Sequence, residues 1–166
     1  MNISITNLIT ILKQQIEVHE QLLRLSREKT PYIKESDSES LVKLLTNERR
    51  LIERIEQLEN EREQVVATFF AEHNVHPEAY TLSELLALIK DAKEKEKLER
   101  LTVVLLELIV GLKETEQLNQ SLLQQSIQFV HLSLDLLQPE SKNIHYGDHI
   151  KRKQKSQSRS IFDSKI

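Results

Sequence analysis

The chain has 166 residues and a net charge of −3, with 39% hydrophobic and 30% charged residues, two glycines, three prolines and no cysteine. The absence of cysteine excludes disulfides and thiolate chemistry, and the shortage of turn-forming residues argues against a compact sheet. Composition therefore predicts an all-α fold built from long, water-facing helices.

The start of the chain shows no targeting pattern. Residues 1–12 carry no basic cluster ahead of an apolar run, so we expect no signal peptide. The most apolar stretch, residues 101–112, is shorter than the roughly 20 residues that a membrane-spanning helix needs. We therefore expect a soluble, cytoplasmic protein.

Apolar residues at helical spacing predict a first helix over about residues 3–34. His19 falls on its apolar stripe, and we interpret it as a satisfied core or boundary residue, with a metal ligand as the alternative. Pro31 lacks a backbone donor and predicts a kink or an end, after which Tyr32 and Ile33 resume the helix.

A second helix is predicted over about residues 37–73, after a polar break in which Ser36 and Glu39 have the spacing of a capping box. Its apolar seam follows the alternating three-and-four spacing of a coiled coil, and Glu48 and Arg62 fall inside that seam. We interpret both charges as register-setting residues whose heads reach water or pair across helices. A functional role is the alternative.

The next segment is a loop followed by a short helix. His73 and His76 have a spacing that would allow a metal pair, but no cysteine completes a ligand set, so we interpret them as loop residues. Thr81 and Glu84 predict a capping box that opens a short accessory helix over about residues 82–91.

The last helix is predicted over about residues 94–138. Residues 98–112 are apolar almost all the way round, so this half should be covered on several sides. Residues 118–137 are amphipathic and rich in amide side chains. Because this helix is expected to outlast the second, residues 122–137 should be incompletely covered and available to a helix of another protein. The whole pattern predicts an antiparallel three-helix coiled-coil bundle over residues 1–138.

The final segment, residues 139–166, differs in charge. It has seven basic and three acidic residues, whereas residues 1–138 have 16 basic and 23 acidic ones. We predict a disordered, basic tail. The basic run at residues 151–155 keeps open an adaptor that binds nucleic acid or an anionic membrane.

The chain offers little for catalysis. It has no glycine-rich phosphate loop and no nucleophile, histidine and acid set that the helices would bring together. Its carboxylates alternate with Lys and Arg along helix faces, which is typical of solvated surfaces. We therefore predict no enzyme activity, catalytic residue, cofactor or metal.

In the order and spacing of its helices the chain resembles the FlgN family, bacterial cytoplasmic chaperones that escort hook-filament junction proteins to the flagellar export apparatus. The resemblance covers about residues 1–138. It is carried by Lys29 and Ile33 of the first helix, Leu41, Leu44, Glu48, Leu51, Ile55, Leu58 and Arg62 of the second, Thr81, Leu82 and Leu85 of the short helix, and Asn119, Leu122 and Leu123 of the last.

The resemblance implies that the last helix binds the C-terminal helical regions of hook-associated proteins. It also implies contact with the export gate and ATPase complex, so that the membrane is met only indirectly and nucleic acid is no partner. The implied client-binding residues are Asn119, Leu122, Leu123, Ile127, Val130, Leu134 and Leu137. Docking of Tyr146 and Phe162 on the export apparatus is a further hypothesis. We expect a monomer or weak homodimer; the alternatives are a structural coiled-coil homodimer and the basic-tailed adaptor.

Overall fold

The computed structural model describes residues 2–78 and 80–137, which are 89% helical and contain four helices and no strand. The helices are α1 (Ile3–Lys34), α2 (Ser38–Glu72), α3 (Leu82–Leu88) and α4 (Ala92–Leu137). The predicted all-α fold is confirmed. The chain divides into two compact units, Met1–Ser126 and Ile127–Ile166. The predicted tail, with Tyr146 and Phe162, lies outside the described residues.

Helix α1 does not end at its proline. Asn2 caps the start, where its Oδ1 accepts a hydrogen bond from the Ser4 N–H at 2.8 Å. Pro31 lies inside the last turn, and its carbonyl still accepts from the Glu35 N–H at 2.9 Å. The missing proline N–H therefore removes one hydrogen bond close to the end of the helix, where the remaining turn can tolerate the loss.

The predicted N-terminal cap is present in α3, whereas α2 is capped by a different residue from the predicted one. Ser36 does not cap α2, because its φ of 55° places it in the left-handed region. Asp37 takes that role, and its Oδ1 accepts from the Ser40 N–H at 3.1 Å. The capping box of α3 is confirmed, with the Glu84 N–H donating to Thr81 Oγ1 at 3.3 Å.

Helices α1 and α2 run antiparallel within the first unit. Ser4, at the start of α1, donates from its hydroxyl to the Glu72 carboxylate at the end of α2, at 3.1 Å. At the other end of the pair, Lys29 Nζ lies 2.9 Å from Glu48 Oε1. The polypeptide therefore reverses direction in the short connection between the two helices.

Helix α4 runs in the same direction as α1. Near its start, Leu98 belongs to the same buried cluster as Ile5. Further along, Asn119 Nδ2 donates to the Ser26 backbone carbonyl at 2.7 Å. The three long helices of the first unit are therefore arranged up, down and up, as an antiparallel three-helix bundle.

The largest buried cluster joins all four helices at one end of this bundle. Phe69 and Phe70 form its aromatic part, with ring centroids 6.0 Å apart in an edge-on arrangement. The short helix α3 contributes Leu85, which is 3% exposed. The buried members are Ile5, Leu8, Ile9, Leu12, Val66, Phe69, Phe70, Leu85 and Leu98. The accessory helix thus closes the end of the core that α1 and α4 begin from.

One prediction for α4 is wrong. Its apolar first half was expected to be covered on several sides, but Val103, Leu106 and Val110 are 53%, 43% and 55% exposed. Only Leu98 and Leu112 are fully buried aliphatic residues of this helix in the described chain. The other two long helices cover one side of α4, and the short α3 packs near its start, so the opposite face meets solvent.

Candidate functional site

The end of α4 carries a dense set of exposed apolar side chains. We define the α4 end surface as Ile127, Val130, Leu134 and Leu137, which are 49%, 54%, 54% and 78% exposed. Their spacing of three, four and three residues places them along one side of the helix. Exposed aliphatic residues grouped in this way are typical of a protein-binding surface.

Three further apolar side chains of this segment are exposed. Phe129, Leu132 and Leu136 are 70%, 58% and 74% exposed, although none of them was selected as a candidate site residue. They lie between the four predicted positions, so the described second unit presents apolar side chains on more than one side of the helix. Counting all apolar positions, rather than one stripe, would have found them.

Three predicted client-binding residues, Asn119, Leu122 and Leu123, lie in the first unit on the same helix. Leu123 is 44% exposed, whereas Leu122 is half-buried. Leu118, one helical turn earlier, is 50% exposed and was not selected from the sequence. Apolar exposure on α4 therefore begins before the end of the first unit.

Asn119 is a different case, because it does not lie on an open surface. It is 3% exposed, its Nδ2 donates to the Ser26 carbonyl at 2.7 Å, and its Oδ1 accepts from Thr30 Oγ1 at 2.6 Å. Both hydrogen-bonding ends of the amide are thus occupied by α1. The structure therefore does not place Asn119 on an exposed surface, as the client-binding assignment requires, because its side chain joins α4 to α1.

Asn119 belongs to a polar layer that links all three long helices. Lys29, with its side chain 8% exposed, lies 2.9 Å from Glu48 of α2 and 2.8 Å from Glu116 of α4. Ser26 Oγ donates to Glu116 Oε1 at 2.6 Å. We define the polar layer as Ser26, Lys29, Thr30, Glu48, Glu116 and Asn119. It interrupts the apolar core with one cation shared between two carboxylates.

The polar layer explains one of the two seam charges. Glu48 was predicted either to reach water or to pair across helices, and its ion pair with Lys29 is of the second kind. Removal of a buried charge from water is costly unless a partner compensates for it, so this pairing favours one alignment of α1 against α2. The sequence held a signal for Lys29, a cation on the buried side of α1, but not for its partners.

The other seam charge pairs within its own helix. Arg62 donates from Nη2 to Glu59 Oε1 at 2.6 Å, and Gln15 Nε2 of α1 donates to Glu59 Oε2 at 3.0 Å. The hydrogen bond from Arg62 lowers the pKa of Glu59 and raises that of Arg62. Arg62 therefore reaches α1 indirectly, through the carboxylate that it holds.

His19 lies next to this cluster and is 7% exposed, which confirms its interpretation as a core residue. Its Nδ1 lies 2.6 Å from the Gln15 carbonyl, so the neutral ring donates from Nδ1. Burial lowers the pKa of His19, and the carbonyl and the charge of Glu59 oppose that shift more weakly. We therefore interpret His19 as a neutral, hydrogen-bonded residue that packs in the core of the bundle.

Clusters of metal-ligating side chains and membrane-spanning helices are both absent from the part of the chain that the structure describes. Residues 2–78 and 80–137 contain no group of three or more His, Cys, Asp or Glu side chains placed to hold a metal ion. Over the same ranges, none of the helices combines the length and the apolar character that crossing a bilayer requires.

Comparisons with known proteins agree with the resemblance seen in the sequence. A family model described as FlgN protein matches residues 1–154, a range that includes Tyr146 but ends before Phe162. The chain is 34% identical over 159 residues to the uncharacterized protein YvyG of Bacillus subtilis (strain 168). That match covers 95% of this chain and 96% of YvyG. No solved structure matches the chain significantly.

Proposed function

The chain belongs to the FlgN family of flagellar export chaperones, and we propose that it binds the C-terminal helical regions of hook-associated proteins and delivers them to the export apparatus. The observation that carries this proposal is the exposed apolar α4 end surface. The family is not an enzyme family, and the proposal assigns the chain a binding role in the cytoplasm.

The α4 end surface has the chemistry that a helical client requires. An amphipathic client helix would cover Ile127, Val130 and Leu134 with its own apolar side, as in other complexes in which a helix lies in an apolar groove. Each of these side chains is about half exposed and would lose its remaining contact with water on binding. Burial of a fully exposed aliphatic side chain contributes roughly 1.5 to 3 kcal/mol, so each of these half-exposed side chains contributes roughly half of that amount. Micromolar affinity corresponds to about 8 kcal/mol, so the client must also contact other exposed apolar residues of α4.

Leu123 and Leu122 of the first unit are also proposed as client contacts; Leu123 is exposed and Leu122 is half-buried. Asn119 is left out, because α1 already occupies its amide group. Delivery to the export gate and ATPase complex is the part of the proposal that rests on family membership. Docking through Tyr146 and Phe162 remains a separate hypothesis, because Phe162 lies beyond the residues that the family model matches.

The test is a calorimetric titration of the full chain with purified hook-associated proteins from the same bacterium. We expect binding by at least one of them, and loss of that binding when its C-terminal helical region is deleted. Flagellin from the same bacterium serves as the control for general affinity toward exported proteins. Absence of binding to every hook-associated protein would contradict the proposal.

A further inference from the structure

The outer face of the first half of α4 is apolar at its centre and charged at its ends. Val103, Leu106 and Val110 are 53%, 43% and 55% exposed. Glu99 and Lys113 continue the same face and are also exposed. The steps of four, three, four and three residues keep all five side chains on one side of the helix. We call these five residues the α4 stripe.

The charges of the α4 stripe are placed symmetrically about its middle. Glu99 lies seven residues before Leu106, and Lys113 lies seven residues after it. Neither of the two charged side chains forms an ion pair within the described residues. They cannot pair with each other, because 14 residues of helix separate them by about 21 Å.

We propose that the α4 stripe pairs with the α4 stripe of a second copy of this chain, antiparallel and with a two-fold axis at Leu106. In a two-fold interface residue i contacts residue j and residue j contacts residue i. Each Glu99 then lies opposite the Lys113 of the other copy, so the dimer contains two Glu99–Lys113 ion pairs, one on each side of the axis. The exposed aliphatic residues between them cover one another.

Charge complementarity is what identifies a second copy as the occupant. In a parallel arrangement Glu99 would face Glu99 and Lys113 would face Lys113, which is unfavourable at both ends of the stripe. Only three aliphatic side chains per copy are covered, so this is a weak, reversible dimer at the small end of protein interfaces. The α4 stripe lies wholly in the first unit and shares no residue with the α4 end surface. A result that contradicts the dimer would therefore leave the proposed client-binding function untouched, and the reverse also holds.

The absence of native cysteine makes a disulfide test direct, because every thiol is an introduced one. Under mild oxidation of the full chain we expect Leu106→Cys to form a covalent dimer, since the two Leu106 positions meet at the axis. Glu99→Cys alone and Lys113→Cys alone should not form a covalent dimer. In each of these variants the two introduced cysteines of the dimer lie about 21 Å apart, whereas a disulfide needs Cα atoms within about 7 Å. A mixture of those two variants should cross-link.

Charge reversal tests the same register without cross-links. Sedimentation equilibrium of Glu99→Lys or Lys113→Glu should show a dissociation constant raised by about tenfold relative to the parent chain, and the double reversal should restore it. A parent chain that stays monomeric at about 1 mM, cross-linking of Glu99→Cys by itself, or single reversals without effect would each overturn the proposal.

Discussion

Lys29 of α1 and Glu48 of α2 form an ion pair whose side chains are 8% and 14% exposed, with Nζ 2.9 Å from Oε1. The same ammonium group lies 2.8 Å from Glu116 of α4. One cation therefore holds two carboxylates that belong to different helices. The polar layer depends on this lysine more than on either acid, because its loss leaves two carboxylates close together without a compensating charge.

Lys29→Met should lower the free energy of unfolding by about 2 to 4 kcal/mol. The lower part of that range applies if water solvates the partly exposed Glu116 carboxylate after its partner is removed. Urea denaturation measures the loss. The matched control is Lys43→Met, because Lys43 pairs with Glu39 at 3.2 Å on an exposed helix face and should change stability by less than about 1 kcal/mol. Equal effects of the two substitutions would show that the polar layer is not a coupled structural element.

His19 predicts a stability change in mildly acidic solution. Burial holds its pKa in the folded state below the ordinary value of 6.5. Below pH 6.5 the unfolded chain therefore binds more protons than the folded one at this site, so stability falls as the pH drops toward the folded-state pKa. Above pH 6.5 the residue is neutral in both states and adds no pH dependence.

The measurement is the free energy of unfolding at a series of pH values from about 8 to about 5 for the parent and for His19→Asn. The asparagine amide can still donate to the Gln15 carbonyl but does not titrate, so the slope below pH 6.5 should be smaller in the variant. Glu59 acts at lower pH, because its lowered pKa gives stability that is lost as the pH falls below 4.5. Identical slopes for parent and variant would contradict the assignment to His19.

Leu58 and Leu106 test which part of the apolar sequence is core. Leu58 is 0% exposed, and Leu58→Ala should lower the free energy of unfolding by about 2 to 5 kcal/mol. Leu106 is 43% exposed, so Leu106→Ala, measured at low protein concentration, should cost less than about 1 kcal/mol. A large loss for Leu106 would restore the prediction that the first half of α4 is covered on several sides.

The sequence predicted the helices well because helix formation depends on neighbours within the same segment. The capping box of Thr81 and Glu84, for example, needs only residues that are three apart. The first half of α4, which includes Leu106, was predicted to be covered on several sides because periodicity reports how apolar a face is, and not how many other helices are available to cover it. That number is a tertiary property of the fold.

Asn119 shows the same limit for a candidate site. The family resemblance implied that Asn119 is one of the client-binding residues. What buries it is Ser26 and Thr30 of α1, about 90 positions earlier in the chain. Hydrogen bonds over such a separation depend on the register between two helices, which a single sequence does not reveal.

Asn119→Ala should therefore affect stability and not client binding. It leaves the Ser26 carbonyl and the Thr30 hydroxyl without their partner, which should cost about 1 to 3 kcal/mol. Thermal melts and client titrations of the same preparation separate the two effects, with the exposed neighbour Gln120→Ala as the control. Unchanged stability together with weaker client binding would return Asn119 to the client surface.

Substitutions in the α4 end surface should affect client binding strongly and the stability of the free chain only slightly. Ile127→Glu, Val130→Glu and Leu134→Glu combined should abolish measurable binding of a hook-associated protein, because three charges would have to leave water to enter an apolar interface. The unfolding midpoint should stay close to that of the parent, since all three side chains are about half exposed in the free chain.

Val42→Glu is the matched control for Val130→Glu. Both valines are exposed on helices, at 62% and 54%, but Val42 belongs to α2 and is not one of the proposed client contacts. Calorimetric titration should show a dissociation constant raised by at least about tenfold for Val130→Glu and unchanged for Val42→Glu.

If the triple variant unfolds, Ile127, Val130 and Leu134 belong to the chaperone's own packing; if it binds normally, the client contacts another surface. Either outcome would reject the α4 end surface as the client site, while equal weakening by both single variants would point to a general effect of added negative charge.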